Sequence, residues 1–153
     1  MAERDVIFVV GDQKFGMDVT LVKAIEPMMA ITPIPNAPRC IRGLMNLRGE
    51  VIPVYSLRRR FDWPDGKVSS LSKLIVTHYD GKALAFDVDE VLEMRDFDRT
   101  TVTPQPTITK NERTSYIRSI GHSKGELVLL IDPSSVFEGD EEERMNKIIE
   151  ELK

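Results

Sequence analysis

The sequence predicts a mainly β protein: two small barrels side by side, short helices, and one amphipathic helix at the C-terminus. Three observations lead there. Short runs of β-branched and apolar residues recur with glycine-bearing turns between them. Sustained helical periodicity is confined to residues 140–153. One half of the chain also repeats the pattern of the other.

The elements follow in chain order. Residues 6–10 (VIFVV) and 15–19 (FGMDV) flank GDQK, a hairpin signal in which Gly and Asp supply the turn. TLVKAIEPM then spaces Leu21, Val22 and Ile25 at helical intervals behind Thr20 as N-cap, which predicts a short helix stopped by Pro27. ITPIPNAPR (31–39) holds three prolines, too many for a ladder or a helix, so it is an extended connector. A strand over about 41–47, a turn at Arg48-Gly49 and a second strand through Tyr55 come next, with Ser56 placed to cap a short helix across LRRRF. Pro53 removes a ladder donor from that second strand and predicts an edge or a bulge.

WPDGKVSSLS is a loop. KLIVTHY (73–79) and KALAFDV (82–88) flank Asp80-Gly81, a dipeptide favoured in type I′ hairpins. DEVLEM, a polar stretch with TPQP, and a last strand pair around Lys124-Gly125 complete the β part. In DEEERMNKIIEELK, Met145, Ile148, Ile149 and Leu152 share one helical face and the acidic residues occupy the favourable first turn. That helix is expected to dock on the barrels through its apolar face. Gly43, Pro53, Gly81 and Gly125 are the positions assigned to structural turns.

The repeat emerges when IRGLMNLRGEVIPVYSLRRRF (41–61) is laid over IRSIGHSKGELVLLIDPSSVF (117–137) without a gap. Ile41, Arg42, Gly49, Glu50 and Phe61 meet Ile117, Arg118, Gly125, Glu126 and Phe137; Arg48 meets Lys124 and Pro53 meets Leu129. FGMDVTLV (15–22) likewise lies over LAFDVDEV (84–91), matching Asp18, Val19 and Val22 to Asp87, Val88 and Val91. A shared register of glycine turns and apolar strands argues for duplication, because a slip of one residue would turn each strand inside out. The chain therefore counts as one domain, 1–153, made of two β-barrel subdomains with repeat units at roughly 15–61 and 84–137.

Bulk composition removes several classes of function. Hydrophobic residues make up 41% and charged residues 30%, an ordinary soluble balance. A net charge of −4 does not supply the basic excess that phosphate neutralisation demands. The single Cys40 forms no internal disulfide, MAERDVIFVV lacks the pattern of a signal peptide, and no run approaches the ~20 apolar residues needed to cross a bilayer. A cytoplasmic protein with no direct membrane insertion is expected.

Catalytic chemistry is thinly supplied. The two histidines, His78 and His122, read as solvated or packed imidazoles, and Cys40 as a small buried hydrophobe. No spacing suggests a metal, no phosphate loop calls for a cofactor, and Asp87-Val88-Asp89-Glu90 lacks the ligand spacing of a calcium loop. No catalytic residue, metal or cofactor is assigned; a hydrolase built on Asp87, Asp89 and His78 lacks a nucleophile. The alternative function is a small β-barrel nucleic-acid binder using Arg58, Arg59, Arg60 and Trp63, which the acidic total and 7% aromatic content oppose. Arg48 differs in kind, because a planar donor fork on a glycine-supported turn suits the centre of a protein interface.

IRGLMNLRGEVIPVYSL, with FVVGDQKFGMDVTLVKAI before it and KALAFDVDEVLEM and SIGHSKGELVLLIDPSSVF after it, resembles the CheW-like domains over roughly residues 5 to 140. The resemblance implies two intertwined five-stranded Src-homology-3-like barrels and a non-enzymatic adaptor that couples chemoreceptor cytoplasmic tips to a CheA-type histidine kinase. It implies that Asn46, Arg48 and Gly49 belong to the receptor- and kinase-facing region. It further implies that Val22, Val91 and Met94 line an inter-barrel groove for the receptor tip. Two positions depart from the usual pattern: Ala24 stands where many relatives carry Glu, with Glu26 after Ile25, and Ser56 stands where an Asp is usual.

Overall fold

The structure, a computed structural model, describes residues 3–97, 102–104, 116–123 and 125–152. Its strands are β1 (Glu3–Val10), β2 (Gln13–Asp18), β3 (Val22–Pro27), β4 (Ile41–Leu47), β5 (Glu50–Tyr55), β6 (Lys73–Tyr79), β7 (Lys82–Val88), β8 (Glu90–Phe97), β9 (Val102–Pro104), β10 (Ile117–Ser123) and β11 (Glu126–Ile131). The helices are α1 (Leu57–Arg60) and α2 (Glu141–Glu151), with single 3-10 turns at Val19–Leu21 and Pro133–Ser135. Mainly β is therefore the observed class. Most of the polar stretch after β8, and Lys124, lie outside the described residues.

The strands form two sheets, ordered β8-β1-β2-β11-β10-β9 and β3-β6-β7-β5-β4. They are interlocked. β3 follows β2 in the chain but joins the sheet of β6 and β7, while β8 follows β7 but joins β1 and β2. Each half thus lends its first hairpin, β1–β2 or β6–β7, to the sheet that holds the other half's remaining strands. Apart from β9 the two orders are equivalent, and β9 has a counterpart as well: it pairs Thr103 with Ile120, while in the other sheet Thr32 forms an isolated bridge to Leu44. The six-stranded sheet differs only in that its connector pairs for three residues instead of one.

The repeat is visible in the irregularities of the ladders. Register shifts fall between Ile41 and Gly43 on β4 and between Ile117 and Ser119 on β10, so Arg42 and Arg118 are the extra residues of matching bulges. Each reaches a carboxylate: Arg42 that of Asp87, and Arg118 that of Asp5 at 2.8 Å. A second pair of shifts makes Lys23 on β3 and Leu92 on β8 the extra residues of the outer strands.

Alternating side chains divide the interior into three. Val6, Phe8, Phe15, Tyr55, Ile75 and Phe86 belong to a core shared by both sheets. Met45, Ile52, Val54, Leu74, Val76 and Ala85 fill one sheet's own concave side, and Ile7, Val128 and Leu130 the other's. α2 closes the shared core from outside with Met145, which is fully buried, and Ile148 and Ile149 pack beside it. At roughly 1.5–3 kcal/mol for each large apolar side chain buried, this interior carries the fold.

Three sequence expectations need correction. The short helix over TLVKAIEPM is a strand: only Val19–Leu21 make a 3-10 turn, capped by the Asp18 carboxylate accepting from the Thr20 amide at 2.9 Å, and β3 then runs to Pro27. Val22, Ala24 and Glu26 alternate inward, and a glutamate among the inward residues masked the two-residue period. Gly43 is not in a turn but inside β4, with φ +155°; a Cβ there would lie 2.3 Å from the Thr32 carbonyl oxygen, so glycine lets the connector cross the sheet. Pro53 is on neither an edge nor a turn, since β5 lies between β7 and β4 and Pro53 is buried. Gly81 and Gly125 do occupy turns, with φ of +73° and +77°.

Candidate functional site

The turn between β4 and β5 is built from four residues. Leu47 and Glu50 close the ladder, and Arg48 (φ +50°) and Gly49 (φ +90°) take positive φ as a type I′ turn requires. Glycine accepts that conformation freely, whereas for arginine it costs on the order of 1 kcal/mol. Asn46 offsets part of this, its side-chain oxygen accepting from the Gly49 amide at 2.8 Å. The three residues form one rigid corner.

Two ion pairs fix the corner to the far edge of the same sheet. Arg48 donates to Glu26 on β3 at 2.9 Å, and Lys23 reaches Glu50 at 3.4 Å. Since β3 and β4 are opposite edges, these contacts record how far the sheet curls. Glu26 is 13% exposed while Arg48 remains 75% exposed. One carboxylate thus anchors the guanidinium and leaves most of its donors facing solvent.

Beside the corner a cleft of 740 Å³ opens between β5, β7 and α2. Val51, Pro53, Ala83 and Leu84 line its floor, Arg48 and Lys82 its rim, and Met145, Ile149 and Leu152 its helical wall. Pro53 accounts for the opening. In the other half, the parallel pairing of β11 with β2 begins at Leu129 and spans three residue pairs; here that of β5 with β7 begins one residue later, at Val54, and spans two. The residue aligned with Leu129 is Pro53, which has no amide to donate. The ladder ends there, and the gap becomes the cleft.

Val22, Val91 and Met94 lie elsewhere. Val22 starts β3, and Val91 and Met94 sit on β8. Val22 and Val91 are the corresponding residues of the two halves and pack against the shared core, so they mark its border at the outer strands. Met94 is 58% exposed, and Ile25, which corresponds to it in the other half, and Leu92 are also partly exposed. The structure therefore splits the sequence-derived residues into a corner (Asn46, Arg48, Gly49) and an apolar border (Val22, Val91, Met94). Glu26, Pro53's cleft and the α2 wall were not singled out from sequence as parts of a site.

The basic run has internal uses. Arg58 pairs with Asp89 at 2.6 Å; Arg59 grips Asp65 with two hydrogen bonds of 3.1 and 3.0 Å. Arg60 is buried, pairs with Glu138 and lies over the Tyr116 ring at 4.8 Å from its centre. Trp63 stacks on Phe61 with ring centres 4.8 Å apart. These are contacts within the fold. Asp87 and Asp89 are engaged by Arg42 and Arg58, and burial outweighs Arg42 in pushing the Asp87 carboxyl above its ordinary range. Burial likewise raises the Cys40 thiol. His78 is exposed. Among the described residues no three His, Cys, Asp or Glu side chains group to hold a metal, and no helix is long and apolar enough to cross a membrane.

Fold and site together define a duplicated, interlocked β module whose distinctive surface is a fixed, exposed arginine corner. Residues 5–141 match the CheW-like domain. The chain is 28% identical to the chemotaxis protein CheW of Rhizobium meliloti, over 90% of this chain and 89% of that protein. It is 26% identical to the chemotaxis protein CheW of Bacillus subtilis, over 89% and 87%. The crystal structure of the scaffolding protein TtCheW from Thermoanaerobacter tengcongensis superposes with a TM-score of 0.81 at 28% identity, over 92% of this chain and 91% of that one. This chain belongs to the CheW-like domain family, and its function is that of an adaptor in chemotaxis signal transduction.

Proposed function

We propose that this protein joins chemoreceptor cytoplasmic tips to a CheA-type histidine kinase, acting in the cytoplasm without chemistry of its own. The arginine corner (Asn46, Arg48, Gly49) meets the kinase, and the border residues Val22, Val91 and Met94 meet the receptor tip. The observation that carries this reading is the corner itself: a strained turn stapled by Asn46 and tied to Glu26, yet leaving Arg48 three-quarters exposed. A side chain held in place while its donors remain free has lost little further entropy to lose on binding, which is what an interface anchor requires. The reading treats the chain as one domain of two interlocked halves with repeat units near 15–61 and 84–137, and the paired bulges at Arg42 and Arg118 support it.

The mechanism is thermodynamic coupling. Holding receptor and kinase on separate surfaces of one rigid body allows a shift in the receptor to bias the kinase, and the coupling is reciprocal. Co-purification with a CheA-type kinase, with a receptor cytoplasmic fragment added or withheld, tests the proposal. Binary complexes with each partner and a ternary complex with both are expected. Failure to bind either partner at micromolar concentration would refute it, and tight, steeply salt-dependent oligonucleotide binding would favour the nucleic-acid alternative instead.

A further inference from the structure

The C-terminal helix has two unlike halves. Its first half is well attached: Met145 is fully buried, Glu142 accepts from the Tyr79 hydroxyl at 2.5 Å and lies 3.8 Å from Lys82, and Arg144 donates to the Asn36 carbonyl at 3.1 Å. Its second half has no side-chain hydrogen bond or ion pair to the body of the protein among the described residues, and Leu152 is 54% exposed. Ile148 and Ile149 alone hold it, both only partly buried. The helix ends on Glu150 and Glu151 with no basic residue in its last turn, so these charges oppose the macrodipole where Glu141, Glu142 and Glu143 favour it at the start. The weak half supplies Asn146, Ile149, Glu150 and Leu152 to the wall of the cleft, beside Glu142 and Met145 of the first half, and Arg48 and Gly49 line the same cleft. The helix begins where the match to the CheW-like domain ends, at residue 141.

We propose that residues 146–152 are a displaceable wall of the cleft: they occupy space beside the arginine corner in the free protein and swing away when the kinase engages it. Met145 is the pivot, staying in the core while the turns beyond it detach. This rests on the reading of Arg48 as a kinase contact. The free protein then binds more weakly than its corner allows, because part of the binding free energy goes into releasing the wall.

Hydrogen exchange of the full chain with and without the CheA-type kinase tests this directly. Kinase binding is expected to protect amides of 48–52 and to speed exchange of 147–152. Protection of both segments would overturn the proposal, because α2 would then be part of the interface. A chain ending after Met145, with Ile149→Asp in the full chain as a second variant should truncation impair folding, is expected to bind the kinase at least threefold more tightly. Unchanged or weaker binding by the folded variant would overturn it. Arg48→Glu keeps the two ideas apart: if it leaves kinase binding unaltered the corner assignment itself has failed, whereas if it weakens binding and wall removal has no effect only the wall has failed.

Discussion

The two halves of this molecule share strand order, bulges and turns, and differ at a handful of positions that decide what each hairpin tip can do. In one half Arg48 and Glu26 have opposite charge and tie the β4–β5 tip to β3; by the repeat, their counterparts are Lys124 and Arg95, which have the same sign. Arg95 instead pairs with Glu93 on its own strand, and Glu126 with Lys14. Pro53 stops a ladder that Leu129 continues. Gly43 admits a crossing connector where Ser119 faces β9. The duplicated scaffold is common to both halves; the arginine corner and the cleft lie in the half in which charge, proline and glycine depart from it.

Each difference can be tested by erasing it. The largest effect on stability is expected from Gly43→Val, which drives a side chain into the Thr32 carbonyl and forbids the positive φ; a loss of at least roughly 3 kcal/mol in urea denaturation is expected, against less than about 1 for Ser119→Ala in the other half. Pro53→Leu installs the counterpart residue. It should lengthen the β5–β7 pairing, narrow the cleft and reduce kinase binding about tenfold, with stability unchanged within about 1 kcal/mol, and equal affinity by calorimetry would show that the cleft is incidental. Arg48→Gly separates strain from recognition. Relief of the left-handed backbone offsets part of the cost of leaving the mostly buried Glu26 carboxylate without its ion pair, so the melting temperature should fall only slightly while kinase binding falls steeply. Glu26→Gln is the mildest, costing less than about 1 kcal/mol of stability and making kinase affinity less reproducible in rank only if Arg48 no longer adopts one orientation, which a larger unfavourable binding entropy would reveal.

Much of this architecture was legible in the sequence because its turns are written in residues with few alternatives. Asp80-Gly81, Arg48-Gly49 and the glycines at 11 and 125 mark hairpins, and the gapless overlay of 41–61 on 117–137 anticipated the duplicated bulges without identifying them as such. β3 was misread because two periodicities compete in TLVKAIEP, and the inward Glu26 hid the true one. That glutamate turns inward with Arg48, 22 residues away in the chain, as its ion-pair partner. The cleft was illegible for a similar reason: Pro53 signals a missing donor, but which neighbouring strand loses the bond depends on sheet order, and the sheet order depends on the exchange of the β1–β2 and β6–β7 hairpins between halves. Local signals located the corner, and non-local ones were needed to say what it stands beside.

In the proposed function the corner and the apolar border serve different partners. The most direct test measures the affinities of Arg48→Glu and Met94→Glu, each for the kinase alone and for a receptor cytoplasmic fragment alone. A crossed result is expected, with Arg48→Glu weakening the kinase complex at least tenfold and sparing the receptor, and Met94→Glu doing the reverse. Parallel losses for both partners, or no loss in either variant, would contradict it.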